Sequence, residues 1–494
     1  MTAVSEAPHT ADQLGQAPGD APAAPVRGQV LCISYYFPPV GGVGVQRVLK
    51  YVTYLPRWGW RPMVVAPGNP GYGLRDASLM AAVPSELEVH RTRSLEPAKL
   101  PGAVRGLFRR LRHPRRVATA AVASDVTAVP TGRSLPARIA HKLASAWRGF
   151  WAAVLYPDSA VAWLPFGVLA AWRAHRRQHV DVVYSSALPI STHQIGRCVA
   201  WLTKRPWVAD FRDPWVGNPL GRPTRRVTAW LQRRTERGIV RRADRVVFAT
   251  AALREMYAAR YPDLGSKFVF IPNGYDLADL AGLRPAPYEP GRFHLLFAGS
   301  LYRSEELTVF LAGLERLVAR RPDIRDRLRV HFLGRVSDAN RRVAEEFSAP
   351  ARLGGVISFE TFVPRPEALS RIAGADALLQ LMPSTPGAEI FVGGKLLEYL
   401  AFDKPILGVM PGGEGRRLID GLPAGRSADV DPDSVADALE KLVDDPPQPG
   451  PNDPSGRYDR LNLAGELANL LDEVAAERTA ERAARQARGP AGRE

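Results

Sequence analysis

Only two of the 494 residues are cysteine, and two thiols cannot build a disulfide framework. Cys32 lies in an apolar run and Cys198 in a predicted helix, so both read as buried small hydrophobes of a reducing compartment. No run of about 18 uncharged apolar residues occurs, so no membrane-spanning helix is supported. Residues 1–27 lack both a basic start and an apolar block, which excludes a secretory signal and reads as a disordered leader; cytoplasmic residence is the expectation. Acid is also short. Lys and Arg number 66 against 50 Asp and Glu, a net charge of +16, which favours phosphates, acidic lipid surfaces or nucleic acid as partners.

What is present is a globular composition, 46% hydrophobic and 23% charged. At roughly 150 residues per domain the length predicts about three units, or two large lobes. From Val30 to Tyr35 the chain is a continuous apolar strand, the kind buried on both faces of a parallel sheet. Strands at 62–66, 180–184, 206–210, 245–249 and 268–271 alternate with helices at 45–55, 191–202, 224–240 and 251–259. A Pro- and Gly-containing stretch at 283–291 interrupts the rhythm, and Phe293 to Gly299 restarts it as a fresh first strand. Helices at 305–319, 340–347, 365–372, 395–402 and 434–443 then alternate with strands at 328–333, 356–359, 377–381 and 405–409. The expected fold is α/β, two Rossmann-like doubly wound domains facing a central cleft. The boundaries are 28–282 and 292–447, with 448–494 forming a helix over 461–471 and a tail that frays from Ala475.

An insertion at about 93–156 breaks the pattern. It carries Arg105, Arg109, Arg110, Arg112, Arg115 and Arg116 without an acid, then Ile139, Leu143, Trp147, Phe150, Trp151 and Val154 at helical spacing. Such a helix either packs on its own domain or lies in the plane of an anionic bilayer.

Several constellations sit where chemistry is placed in such folds. Gly41, Gly42 and Gly44 follow the first strand and open a helix, where close backbone approach and a helix N-terminus suit a phosphate; a merely tight turn is the alternative. Asp210, Arg212 and Asp213 follow another strand, where open α/β sheets place ligands. One of these carboxylates accepts or positions a hydroxyl proton, or the cluster is an Asp–Arg pair closing a turn. His193, just beyond a strand end, is a capping, surface or chemical residue. In the second half Arg303 follows a first strand. Gly393 and Gly394 give way to a helix on which Lys395 and Glu398 share one face, suiting a diphosphate and a ribose, or forming a solvated pair.

Tyr36 to Gly42, Trp163 to Pro165, Ser185 to Pro189, Pro206 to Trp215, Ile271 to Asp276 and Gly394 to Tyr399 together resemble a family 4 glycosyltransferase of the GT-B type, in the same order across residues 28–445. The resemblance implies retaining, metal-independent transfer of a sugar from a nucleotide-diphosphate donor to an acceptor hydroxyl, with no cofactor. It implies that Gly41, Gly42 and Gly44 border the donor's diphosphate or sugar, that Arg303 and Lys395 neutralise the diphosphate, and that Glu398 holds the ribose. It also implies that Val363 and Pro364 lie near the base through backbone groups. The family's glutamate pair, separated by seven residues, is not reproduced: counting back from Glu398 reaches Ile390, with Glu389 one position earlier. Many members carry a histidine where this chain has Asp210 to Asp213. The expected setting is cell-surface polysaccharide or glycolipid synthesis on a lipid-linked acceptor, with the protein peripheral on an anionic inner membrane face and no nucleic-acid partner. A sugar-nucleotide epimerase or hydrolase, a non-catalytic sugar-nucleotide binder and a basic nucleic-acid-binding protein are the competing readings.

Overall fold

The computed structural model describes residues 25–72, 74–96, 156–219, 221, 226–301, 304–361 and 363–487. Most of the basic insertion, Arg303 and the leader up to residue 24 lie outside the described residues.

Seven strands form the first sheet: β1 (Gly28–Ser34), β2 (Trp60–Pro67), β3 (Glu88–Thr92), β4 (Val182–Ala187), β5 (Trp207–Phe211), β6 (Arg245–Phe248) and β7 (Phe268–Phe270). Their order is β3-β2-β1-β4-β5-β6-β7 and every pairing is parallel. Parallel neighbours need crossovers, supplied here by α1 (Val43–Tyr54), α2 (Leu164–Arg177), α3 (Ser191–Thr203), α4 (Arg226–Arg242) and α5 (Ala251–Arg260). Leu31 aligns with both Met63 and Val183 in the ladder. Alternate residues of β1 therefore enter two cores: Leu31 and Ile33 meet Ile195, Val199, Ile239 and Val240 of α3 and α4, while Val30 and Cys32 meet Val48 and Leu49 of α1. Burial pushes the Cys32 thiol up to about 12, so it behaves as a small apolar side chain. Cys198, expected to be buried, is only partly buried on α3.

The second sheet repeats the plan. It contains β8 (Phe293–Ala298), β9 (Leu328–Leu333), β10 (Ile357–Glu360), β11 (Ala377–Leu381), β12 (Ile406–Val409) and β13 (Gly425–Ala428), ordered β10-β9-β8-β11-β12-β13 and wholly parallel. Around it lie α6 (Ser304–Arg320), α7 (Asp338–Phe347), α8 (Arg365–Gly374), α9 (Gly394–Tyr399), α10 (Glu414–Asp420) and α11 (Pro432–Asp444). In both sheets the strand order reverses beside the first strand, at β1/β4 and β8/β11, which opens a crevice at the strands' C-terminal ends.

One element crosses back. Helix α12 (Arg460–Ala487) continues past Ala475, where fraying was expected. Its Leu463, Leu467, Leu471 and Val474 are buried against α1 and β1 in the first domain's core. Trp60 donates to Asp472 at 3.0 Å, and Gly465 lets the helix close on Trp58. Among the described residues no helix is long and apolar enough to cross a membrane.

Candidate active site

The first domain's share of the site is assembled where β1, β4 and β5 end. The loop from β1 into α1 turns through Gly42, whose φ of +100° only glycine adopts without strain. Helix α1 then starts with neither a side-chain cap nor an acid in its first turn, leaving backbone N–H groups available to an anion. Arg212 holds this loop in place. Its Nε donates to the Ala187 carbonyl at 2.8 Å, its Nη1 donates to the Gly44 carbonyl, and its guanidinium lies over the Tyr36 ring. Gly41, Gly42, Gly44 and Arg212 are thus brought together.

Asp210 does not face the crevice as its strand-end position predicts. It is fully buried, with both carboxylate oxygens 3.0 Å from Arg47 of α1, and it accepts from the Tyr184 and Ser186 hydroxyls at 2.7 and 2.8 Å. Burial opposes its charge, but Arg47 and the hydroxyls outweigh it and hold the carboxyl below its usual range. The same Arg47 donates to the Ile271 and Pro272 carbonyls at 2.9 and 2.7 Å. Three segments far apart in sequence therefore meet on one interior pair that positions rather than reacts. Asp213, three residues later, is only partly buried and has no hydrogen bond among the described residues; burial, against the pull of Arg212, raises its pKa. His193 is neither a cap nor a surface residue. It is fully buried, its Nδ1 lies 2.8 Å from Ser185 Oγ, and burial pushes its imidazole down to about 3, so it is neutral at physiological pH.

The second domain's share centres on α9. A β-carbon at Gly299 would lie 3.6 Å from Cγ of Lys395, so the lysine stem runs along the turn after β8. Gly393 allows the preceding loop to close on Gln380 of β11, and Gly394 begins the helix. Lys395 Nζ is 2.7 Å from Glu398 Oε2, and Arg365 reaches Oε1 at 2.6 Å. Burial opposes the Glu398 charge, yet Lys395 and Arg365 keep its carboxyl below the usual range. Arg365 continues to Asp279 at 2.7 Å, and Asp279 to Lys50 of α1 at 2.9 Å. A chain of alternating charge thus links α9 to the first domain. Val363 packs on the core beneath α9, and Pro364 caps α8 immediately before Arg365.

Glu389 stands exposed on a 3-10 turn, Ala388–Ile390, apart from this chain. Ile390, at the position the glutamate spacing reaches, packs its side chain on the first domain's core and accepts from Thr250 Oγ1 at 2.9 Å. Beside it Glu414 accepts the first two N–H groups of α5, from Ala251 and Ala252, at 2.8 and 2.6 Å. Sequence reasoning missed Arg47, Arg365 and Glu414. Arg365 carried a signal, between two prolines at a helix start; the others depend on contacts across more than 160 residues. Among the described residues no three His, Cys, Asp or Glu side chains gather as a metal site.

The family model Glycosyltransferase Family 4 matches residues 130–279. Over 227 residues the chain is 33% identical to a D-inositol 3-phosphate glycosyltransferase of Paenarthrobacter aurescens (strain TC1), covering 43% of this chain and 53% of the relative. A protein of the same name from Pseudarthrobacter chlorophenolicus is 30% identical, covering 43% and 50%. The chain spans about half the length of these curated relatives. Among solved structures, Anabaena HepE in complex with UDP superimposes with a TM-score of 0.58 at 12% identity, covering 90% of this chain and 100% of that one. Sucrose-phosphate synthase from Thermosynechococcus elongatus gives 0.56 at 14%, covering 91% and 100%. At such identities the structural likeness speaks for the fold alone. In sequence the chain is thus similar to family 4 glycosyltransferases over part of its length, and over nine-tenths of it the chain shares the two-domain GT-B fold.

Proposed function

We propose that the protein transfers a sugar, with retention and without a metal ion, from a nucleotide-diphosphate donor to an acceptor hydroxyl. The observation that carries this reading is the Lys395–Glu398–Arg365 cluster at the second sheet's switch point, with an uncapped, glycine-opened helix at the equivalent place in the first domain. Glu398 accepts the ribose hydroxyls, while Lys395, with Arg303, meets the diphosphate. Gly41, Gly42 and Gly44 border the diphosphate or sugar, and the backbone at Val363 and Pro364 lies by the base. Fixed cations and backbone dipoles aimed at a departing diphosphate are what such a transfer needs, since charge develops there in the transition state. Of the two carboxylates that follow β5, the burial of Asp210 and the open hydrogen-bonding capacity of Asp213 among the described residues support Asp213 as the one that meets the acceptor. HepE's structures with UDP and UDP-glucose support a nucleotide-sugar donor. The acceptor is lipid-linked and presented at an anionic membrane, in cell-surface polysaccharide or glycolipid synthesis.

A thermal-shift panel of sugar nucleotides tests the donor. A cognate ligand at a hundred times its Kd adds about 2.7 kcal/mol of stability. Calorimetry with Glu398→Ala should show donor affinity falling by about tenfold or more, because charge-assisted hydrogen bonds are lost; unchanged affinity removes the assignment. Product analysis should pair a lipid-linked saccharide against D-inositol 3-phosphate, the compound in the relatives' name.

A further inference from the structure

Helices α2, α3 and α4 lie side by side over one face of the first sheet, packed through Ala171, Ile195, Val199, Ile239 and Val240. Their sequences contain ten arginines and a single acid, Glu236. That acid is turned inward, fully buried and bound by Arg260, Tyr257 and Tyr261. The layer's outer side therefore has no counter-charge of its own. Arg197, Arg233, Arg234, Arg237, Arg241 and Arg242 are exposed, and none has an ion pair among the described residues.

The same side exposes large apolar groups. Trp172 on α2, Trp201 on α3 and Trp230 on α4 are 40%, 63% and 55% exposed, joined by Val227 and Leu202. Arg176 lies over the Trp172 ring at 5.9 Å and Arg234 over the Trp230 ring at 5.8 Å. Trp201 lines a shallow groove between α3 and α4 together with Arg197, Arg241 and Arg242. Every exposed indole of this layer thus stands beside a guanidinium.

We propose that the outer face of α2, α3 and α4 docks on an anionic lipid bilayer, with the indoles at headgroup level and the arginines on lipid phosphates. Indole rings favour that depth because one edge is apolar and the other donates a hydrogen bond. Each arginine held near an anionic surface strengthens partitioning by about fivefold. A nucleic acid would use the guanidiniums, but it offers nothing to Val227 and Leu202, and the helical layer presents its outer side rather than a backbone-tracking channel. The docking is independent of the proposed transfer and gives a lipid-linked acceptor a defined approach.

The test is co-sedimentation of the full chain with phosphatidylcholine vesicles, with and without phosphatidylglycerol. The wild type should bind the phosphatidylglycerol vesicles at least about tenfold more tightly, and added salt should weaken the binding. Trp172→Ser/Trp201→Ser/Trp230→Ser and, separately, Arg197→Gln/Arg241→Gln/Arg242→Gln should each cut that binding by about tenfold or more while leaving donor affinity by calorimetry unchanged. The arginine variant changes only exposed, unpaired groups, so it keeps the test decisive if the tryptophan variant fails to fold. Equal binding to both vesicle types, wild-type vesicle binding by the arginine variant, or displacement from vesicles by a duplex DNA fragment would each overturn the docking. If no sugar nucleotide binds the wild type, the transferase reading falls and the vesicle result stands.

Discussion

The two domains share one architecture but treat surface arginine in opposite ways. Over the second sheet, α6 and α11 interlock through Arg316 with Asp433 and Arg320 with Asp437, at 2.6 and 2.9 Å. The segment following α6 adds Arg321 on Asp323, Glu440 and Asp444, and Arg327 on Asp444. Over the first sheet, α2, α3 and α4 present arginines that no carboxylate among the described residues meets. Residues 292–447 carry 20 Lys and Arg against 23 Asp and Glu, a net −3, so the surplus behind the +16 lies entirely outside them. A whole-chain charge therefore says little until it is divided by domain. Along α6 and α11 the arginines are met by acids, and along α2, α3 and α4 they are not among the described residues.

The contrast can be attacked from the inside outward. The largest effect should come from the Arg47–Asp210 pair, both of whose side chains are buried. Asp210→Ala leaves Arg47 charged in the interior and should cost about 3–5 kcal/mol, read as a lowered chemical-denaturation midpoint with the slope unchanged. Losing less than the cost of an ordinary surface change would show that the interior pair is not what holds α1, β5 and the segment after β7 together.

Next comes Glu398→Ala, whose effect should fall on donor affinity far more than on folding.

A pH effect should follow. Burial, and then the nearby Asp276, raises the Asp459 carboxyl to about 6. The native state therefore holds a proton that the unfolded chain has released, and stability should decline as pH rises from about 4 to about 6. Asp459→Asn should flatten that decline and raise stability at neutral pH, measured by thermal melts across the window.

The smallest effect tests the comparison itself. Asp433→Asn/Asp437→Asn/Asp444→Asn frees Arg316 and leaves Arg320, Arg321 and Arg327 only Glu440 and Asp323 as partners, and because exposed pairs contribute little, folding should barely change. Vesicle binding should rise only slightly, since no exposed indole accompanies those arginines. A rise to the level of the first domain's own binding would mean that charge alone sufficed.

Much of this was legible in the chain. Apolar runs such as Val30 to Ser34 marked the central strands because both faces of a parallel sheet are buried. Of the four edge strands, β7 and β10 were legible but β3 and β13 were not: β3 reads Glu-Val-His-Arg-Thr and β13 reads Gly-Arg-Ser-Ala, since an edge needs no continuous apolar run. The Lys395–Glu398 pair followed from helical spacing, but its third member, Arg365, arrives from another helix. Asp210 was found for its position and mistaken in its direction, because its partner Arg47 lies 163 residues earlier. The continuation of α12 beyond Ala475 was hidden by a polar composition, whereas its buried stripe at Leu463, Leu467 and Leu471 was plain.

That returning helix also imposes a schedule. During synthesis the strands of the first sheet emerge long before α12, which covers one of their faces. Between Phe270 and Arg460 the ribosome adds a whole second domain, an interval on the order of ten to forty seconds at ordinary bacterial and eukaryotic elongation rates. Through that time Val30, Cys32 and Val48 stand without the side chains that finally enclose them. The first domain to be made is thus the last to be completed, and chaperone demand should peak while the second domain is being translated.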